Sequence, residues 1–323
     1  MAVSTVPPAA DAESGARVST AAPGRDHRIA LGVIVLVGAF LRFFELSRQG
    51  FWLDEASQIR TSRLIDEQGL REVAKRDNVS PLSHWLLWAW DKIAGDGQFA
   101  ARVPSAVAGI VTILIVYALG RRLYSSTVGL VAAAVLAISP YAIWYSQDAR
   151  MYSLLLCATA AMLLVFHLAI TEPKRVRWWV LLAVVTTIGI YTHQYAALTT
   201  AGCAVYLVVA REWRGTIGRR WLAANAVAAL AFLPWLLIAS ANDAGTAGSE
   251  KTAALLWLPY SMFSFLFGFS LGPSIRENQE LGAVHAVKPD LWWIIPLAFA
   301  AAVVLLVALR NALTRGPRRS NLL

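Results

Sequence analysis

The sequence is poor in charged residues. Asp, Glu, Lys and Arg make up 15% of its 323 residues, whereas a soluble domain usually carries about 25%. Hydrophobic residues fill 57% of the chain, and the mean hydropathy is +0.54. This balance excludes an ordinary soluble domain and predicts a membrane protein with several spans.

Cysteine is also scarce. Cys157 and Cys203 both lie in apolar runs, without disulfide or metal-ligand spacing, so we interpret both as small buried side chains. No segment resembles a glycine-rich phosphate loop. The net charge of +9 comes from short basic clusters between apolar runs. This pattern favours cytoplasmic loops and anionic lipid over nucleic acid as the partner.

Long apolar runs are what the sequence has in abundance. A membrane-spanning helix needs about 17–25 apolar residues, and helices satisfy every backbone group within their own segment. The sequence therefore predicts an all-α bundle of about eight spans. These are residues 29–46, 104–120, 126–144, 152–170, 178–192, 195–210, 221–240 and 291–309.

The loop charges predict the orientation of the bundle. Basic residues follow spans 2, 4, 6 and 8 and occur in the N-terminal tail, and the positive-inside rule places this side in the cytoplasm. Both termini are then cytoplasmic. The inner acids are Asp11, Glu13, Asp26, Glu172 and Glu212; all other Asp and Glu lie outside. Residues 253–271 are long enough to cross, but crossing would put the basic C-terminus outside, so we interpret them as re-entrant or interfacial.

These predictions divide the chain into three regions. Residues 1–27 form a disordered cytoplasmic tail, residues 28–310 a membrane-embedded domain, and residues 311–323 a basic cytoplasmic tail. Within the domain, residues 47–103 are the first extracytoplasmic loop and residues 241–290 the last. The first loop repeats apolar residues at helical spacing, which predicts two amphipathic helices on the membrane surface.

The motif GFWLDEASQIR, residues 50–60, places Asp54 and Glu55 directly after the first span. One interpretation is helix capping by a solvated acid. The other is a general base that takes a proton from an attacking hydroxyl at the membrane surface. Phe51 and Trp52 would reduce the solvation of such a base and raise its basicity.

The motif SPYAIWYSQDARMY, residues 139–152, forms the outer turn between spans 3 and 4. Its charges are either simply solvated or functional. In the functional interpretation, Arg150 binds a phosphate and Asp148 binds a sugar hydroxyl or supports the base. The hydrogen-bonding side chains beside them are Tyr145, Gln147 and Tyr152.

Three further residues lie at the same outer ends. His193, in YTHQY at residues 191–195, is either an interfacial residue or a phosphate contact. Arg102 precedes Pro104 and Ser105, which we interpret as a helix start; we interpret Arg102 as an interfacial anchor and keep it as a candidate substrate-binding residue. His84 lies among tryptophans and is interpreted as part of an aromatic belt.

The outer ends of spans 1, 3 and 5 thus all carry polar groups, whereas no comparable group lies mid-span, where a transporter would show its ion pathway. An outward-facing site has no supply of nucleotide donors. An activated group would have to arrive attached to lipid.

These motifs together resemble the GT-C integral-membrane glycosyltransferases. The resemblance rests on Arg42, GFWLDE, ARVPSAVAG, SPYAIWYSQDARMYSLLL and YTHQYAAL, and it covers about residues 30–240. It is strongest to bacterial relatives of the dolichyl-phosphate-mannose protein mannosyltransferases and to the lipid A aminoarabinose transferases.

The resemblance implies an inverting glycosyltransferase of the bacterial plasma membrane, which moves a sugar from a polyprenyl-phosphate donor to an extracytoplasmic glycan, lipid or protein. By that likeness Asp54 is the base, Glu55 supports it, Asp148 is the second acid, and Arg150 and His193 contact the donor phosphate. No metal ligand is assigned, although some members of the superfamily use a divalent metal such as Mg or Mn.

Two departures keep other functions open. Relatives often have His-Pro-Pro-Leu in the first outer loop, where this sequence has Val79-Ser80-Pro81-Leu82. Relatives also often continue with further spans and a soluble outer domain. The alternatives are a flippase or transporter of a lipid-linked substrate, and an inactive shortened relative that acts as a scaffold.

Overall fold

The computed structural model describes residues 24–76 and 81–240, together with single helical residues at 292, 295, 296, 299 and 303. Every regular element in the two long ranges is an α-helix, which confirms the predicted all-α class. The helices are α1 Arg25–Phe43, α2 Leu53–Arg76, α3 Leu82–Ala94, α4 Gln98–Leu123, α5 Ser126–Ile138, α6 Pro140–Ser146, α7 Tyr152–Thr171, α8 Val176–Thr192, α9 Ala196–Val209 and α10 Thr216–Ser240.

The apolar helices match the predicted spans in position. Among the described residues, α4, α7 and residues Thr216–Ile238 of α10 are long and apolar enough to cross a membrane, and α5 with α6 forms a fourth, bent candidate. Helices α8 and α9 are apolar but shorter. The predicted N-terminal tail up to residue 23, residues 253–271, most of the eighth span and the C-terminal tail lie outside the described residues, so the count of eight stays a prediction.

The predicted third span, residues 126–144, is wrong as a single helix. Its helix stops at Ile138, and α6 starts at Pro140 at an angle of 60° to α5. The Ser139 side chain accepts a hydrogen bond from the Ala142 amide at 3.4 Å, which caps α6. Pro140 occupies the first helical position, where its missing N–H costs nothing. A Ser-Pro pair inside an apolar run therefore marks a broken helix.

Helices α2 and α3 are the two predicted amphipathic helices. In α2, Glu55, Gln58, Ile59, Ser62 and Ile65 are buried, and their spacing of three and four residues puts them on one face. The outer side of the pair is held by charged contacts between Arg63 and Asp91, and between Lys92 and Asp66.

Helix α4 begins at Gln98, earlier than predicted, so Pro104 lies inside it rather than at its start. A proline inside a helix leaves the carbonyl four residues earlier without its usual donor. That carbonyl belongs to Ala100, and it accepts a hydrogen bond from the Trp90 indole at 2.9 Å. The tryptophan of α3 therefore stabilises the extension of α4.

Helix α4 is the centre of the bundle and packs against α5 and α7, while α7 packs on α8 and α8 on α10. Its contact with α5 is close because two glycines meet there: a Cβ on Gly120 would lie 2.9 Å from the Gly129 Cα. Small residues let membrane helices approach in this way. The packing of α4 against α6 and α7 fixes the turn between them, residues 147–151.

Candidate active site

The N-terminal end of α2 meets the turn at residues 147–151, and Glu55 is the residue that joins them. Its side chain is fully buried. One carboxylate oxygen accepts hydrogen bonds from Arg102 Nε and from the Ala149 amide, both at 2.8 Å. The other accepts from Arg102 Nη2 at 2.7 Å and from the Trp52 amide at 3.4 Å. Glu55 thus caps α2 in the manner of a capping-box glutamate.

Arg102 is buried beside Glu55, so our interpretation of it as an interfacial anchor is wrong. Its guanidinium forms a two-pronged ion pair with Glu55 and also donates to the carbonyls of Leu46, Gln49 and Gly50 at 2.7–3.3 Å. Burial raises the pKa of Glu55, but the hydrogen bonds from Arg102 and Ala149 outweigh it and lower the pKa overall. Glu55 is therefore ionised at neutral pH.

Asp148 is the second buried acid, with 3% of its surface exposed. One of its carboxylate oxygens accepts a hydrogen bond from the Trp52 indole at 3.2 Å. The other, Oδ2, is buried and has no hydrogen-bond partner among the described residues. Burial, and then the negative charge of Glu55, raise the pKa of Asp148 to about 7. Asp148 can therefore gain or lose a proton near neutral pH.

Both acids line a cavity of about 380 Å³ between the end of α1, the start of α2 and α6. Trp52 and Trp144 form part of its wall, together with Arg48. Charged and amide side chains line the cavity together with apolar ones, so it can hold a polar ligand.

Arg150 lies on the other side of the α2 start. Its Nη1 donates to the Asp54 carbonyl at 3.3 Å and to the Gln58 side chain at 3.5 Å. Its guanidinium lies 5.8 Å from the centre of the Tyr152 ring. Tyr152 in turn contacts His193, with 6.4 Å between ring centres. Burial and then the charge of Arg150 lower the pKa of His193, so the imidazole is neutral at neutral pH.

The remaining predicted residues lie around these groups. Tyr145 packs edge-to-face on Tyr152 at 4.7 Å. Gln147 donates to the Leu41 and Phe44 carbonyls, both at 3.0 Å, so its amide nitrogen holds the end of α1. Asp54, the second residue of α2, is half-buried, and its carbonyl oxygen accepts from Arg150. The structure thus brings the predicted outer ends of spans 1, 3 and 5 close together, but Asp54, Arg150 and His193 do not line the cavity that Glu55 and Asp148 line.

A second layer of polar residues was missed in the sequence. Gln58 is buried and donates to Ser83 at 3.1 Å, and Ser62 lies 3.2 Å from a ring nitrogen of His84. His84 is buried and belongs to this layer instead of an aromatic belt. The signal was available, since residues 58 and 62 follow Asp54 at intervals of four residues along one helix face.

The described residues contain no cluster of metal-ligating side chains. No group of three or more His, Cys, Asp and Glu side chains lies together within them. Arg102 and Ala149 occupy the oxygens of Glu55, whereas Asp148 Oδ2 is a buried carboxylate oxygen without a hydrogen-bond partner among the described residues.

Replacing Arg102 with Met should strongly destabilise the protein, because it leaves the Glu55 charge buried and unpaired. Breaking a buried ion pair on one side typically costs about 3–5 kcal/mol. We expect a much lower thermal midpoint in detergent. The double variant Glu55→Gln/Arg102→Met should recover part of the loss. Arg48→Met, which breaks an exposed pair with Glu45, is the control and should leave the midpoint nearly unchanged.

Residues 78–238 match the profile of the dolichyl-phosphate-mannose-protein mannosyltransferase family. The chain is also similar to undecaprenyl phosphate-alpha-4-amino-4-deoxy-L-arabinose arabinosyl transferases. It is 27% identical to the protein of Pseudomonas aeruginosa (strain LESB58), over 84% of this chain and 53% of the relative. It is 26% identical to that of Pseudomonas fluorescens (strain Pf0-1), over 82% and 52%.

The chain therefore spans about half the length of these curated relatives. The matched region holds α3 to α10, including Arg102 and the turn that carries Asp148. The family match, the two relatives and the helical fold agree with the resemblance seen in the motifs, and the chain belongs to the GT-C superfamily of integral-membrane glycosyltransferases.

Proposed function

We propose that the chain transfers a sugar from a polyprenyl-phosphate donor to an extracytoplasmic acceptor. The observation that carries this proposal is the buried pair of acids, Asp148 and Glu55, lining one cavity where the α2 start meets the turn between α6 and α7. The named relatives act with undecaprenyl-phosphate-linked aminoarabinose, so an aminopentose is the first donor to test.

The proposed reaction is a single displacement that inverts the anomeric carbon. The acceptor hydroxyl attacks that carbon and gives its proton to Asp54, while the bond from the carbon to the phosphate oxygen breaks. The electron pair leaves with the polyprenyl phosphate, next to the Arg150 guanidinium and the neutral His193. An ionised Asp148 stabilises the positive charge that develops on the sugar, and Glu55 holds the α2 start in place.

We also propose that the site lies on the extracytoplasmic face of a bacterial plasma membrane and that both termini are cytoplasmic. Helix α4 carries Arg102 near its start and Arg121 and Arg122 at its end, which are separated by about 30 Å at 1.5 Å per residue. Helix α7 likewise starts at the site and ends before a basic loop. The candidate site and the basic clusters thus lie at opposite ends of these helices, which supports the proposed orientation under the positive-inside rule.

Purified protein in vesicles tests the proposal. With a polyprenyl-phosphate aminopentose and an extract of cell-envelope acceptors, mass spectrometry should show free polyprenyl phosphate and a glycosylated acceptor. Net movement of intact donor across the vesicle without bond cleavage would favour the transporter. A chain that is inactive alone and gains activity with a co-purified membrane protein would favour the scaffold. Envelope glycans compared with and without the gene product would name the acceptor.

A further inference from the structure

Arg42, near the end of α1, is fully buried. Its Nη1 donates to the carbonyls of Gly38 at 2.9 Å and Ala137 at 3.0 Å, and its Nη2 donates to the Leu136 carbonyl at 3.2 Å. No carboxylate among the described residues forms an ion pair with it. Burying a charge without a counter-ion destabilises the folded state, so the contacts with these carbonyls must offset the lost hydration of the guanidinium.

The carbonyls of Leu136 and Ala137 explain how this compensation works. They belong to the last turn of α5, where carbonyls lack their usual intrahelical donors and where the helix dipole favours a cation. The chain then breaks by 60° into α6. Arg42 therefore stabilises the end of α5 at the point where the backbone changes direction.

A second contact returns from the far end of α6 to α1. Gln147, the residue after α6, donates to the Leu41 and Phe44 carbonyls. Helix α6 has only seven residues, so α1 contacts the chain both just before α6, at the end of α5, and just after it. The residue that follows Gln147 is Asp148.

Gly109 of α4 provides the space for this arrangement. A Cβ at this position would lie 2.7 Å from Arg42 Nε and 2.1 Å from the Ser146 hydroxyl, far inside contact distance. Ser146 is the last residue of α6. Any side chain at residue 109 would therefore displace Arg42 or the end of α6.

We propose that Arg42 is a positioning residue, which fixes the break between α5 and α6 and thereby places Asp148 in the cavity. Arg42 itself does not line that cavity and acts through the backbone. The kinetic part of this inference rests on the proposed function; the structural part does not.

Distances across the break test the structural part directly. Spin labels at Val131→Cys and Trp144→Cys, both exposed positions on α5 and α6, report the bend in a chain whose native Cys157 and Cys203 are replaced by Ala. Arg42→Met and Gly109→Ala should shift or broaden the measured distance, and Arg42→Lys should do so less. Two variants are controls and should leave the distance unchanged. Arg25→Met changes a residue at the exposed start of α1. Gly202→Ala adds a methyl group at a position with no described atom within 4 Å of its Cβ.

Kinetics of the same variants without labels test the consequence. Misplacing a reacting group by about 1 Å can cost about 100-fold in rate, so Arg42→Met should lower kcat by about that factor with KM unchanged, and Arg42→Lys should recover part of it. An unchanged distance in Arg42→Met and Gly109→Ala would overturn the inference, as would a changed distance with wild-type kcat. If the wild type itself transfers no sugar, the proposed function fails, while the distances still decide the structural role of Arg42. If Arg42→Met does not fold, the variants Gly109→Ala and Arg42→Lys decide both the structural and the kinetic part.

Discussion

Replacing Asp54 with Asn should abolish sugar transfer and leave the amount of folded protein unchanged. The amide has nearly the same shape but cannot accept the proton of the attacking hydroxyl, and a positioned general base typically contributes about 10²–10⁴ in rate. Asp54 is half-buried at the second position of α2, and the hydrogen bond from Arg150 goes to its backbone carbonyl. The substitution therefore leaves that contact in place. Release of polyprenyl phosphate in vesicles, followed by mass spectrometry, measures the loss.

Glu67→Gln is the matched control for this prediction. Glu67 lies on the same helix, is exposed and does not line the cavity, so its loss should leave the rate unchanged. Turnover at the wild-type rate in Asp54→Asn would remove Asp54 from the role of base. Asp148, which lines the cavity, would then be the next candidate for the base.

The sequence was sufficient for the all-α class and for the approximate position of most helices. Apolar runs and loop charges predicted which helix ends lie together, and the structure joins the segments around Glu55, Asp148 and His193. The division of labour between Asp54 and Glu55 was harder to predict. Adjacent residues on a helix point about 100° apart, and which of them is buried depends on Arg102, which is 47 residues away in sequence.

The break between α5 and α6 shows the other limit of the sequence pattern. Hydropathy averages over a window, so the continuous apolar run at residues 126–144 hid the change of direction. The local signals were Ser139 and Pro140, a helix cap followed by a residue suited to a helix start. The partners that hold the break, Arg42 and Gly109, lie on other helices, and no local pattern could connect them.

Replacing Asp148 with Asn should reduce transfer strongly and make the protein more stable at alkaline pH. Burial and the charge of Glu55 raise the pKa of Asp148 to about 7, above the value of about 3.9 that it has in an unfolded chain. Between these values the folded state holds one more proton than the unfolded state, so stability falls as the pH rises from about 4 to 7. Above pH 7 the wild type bears the whole cost of a buried charge, and the uncharged Asn removes it.

The catalytic effect has the opposite sign. If the ionised carboxylate stabilises the charge on the sugar, the wild-type rate should rise with pH through about 7, the pKa of Asp148. Asp148→Asn should be slow at every pH and lack this rise. Thermal midpoints and transfer rates at pH 5 and pH 8 measure both effects: the stability advantage of Asn should be largest at pH 8 and shrink at pH 5. A wild-type rate in Asp148→Asn would exclude Asp148 from catalysis. If Asp148→Asn is less stable than the wild type at pH 8, the ionised carboxylate stabilises the fold instead of destabilising it.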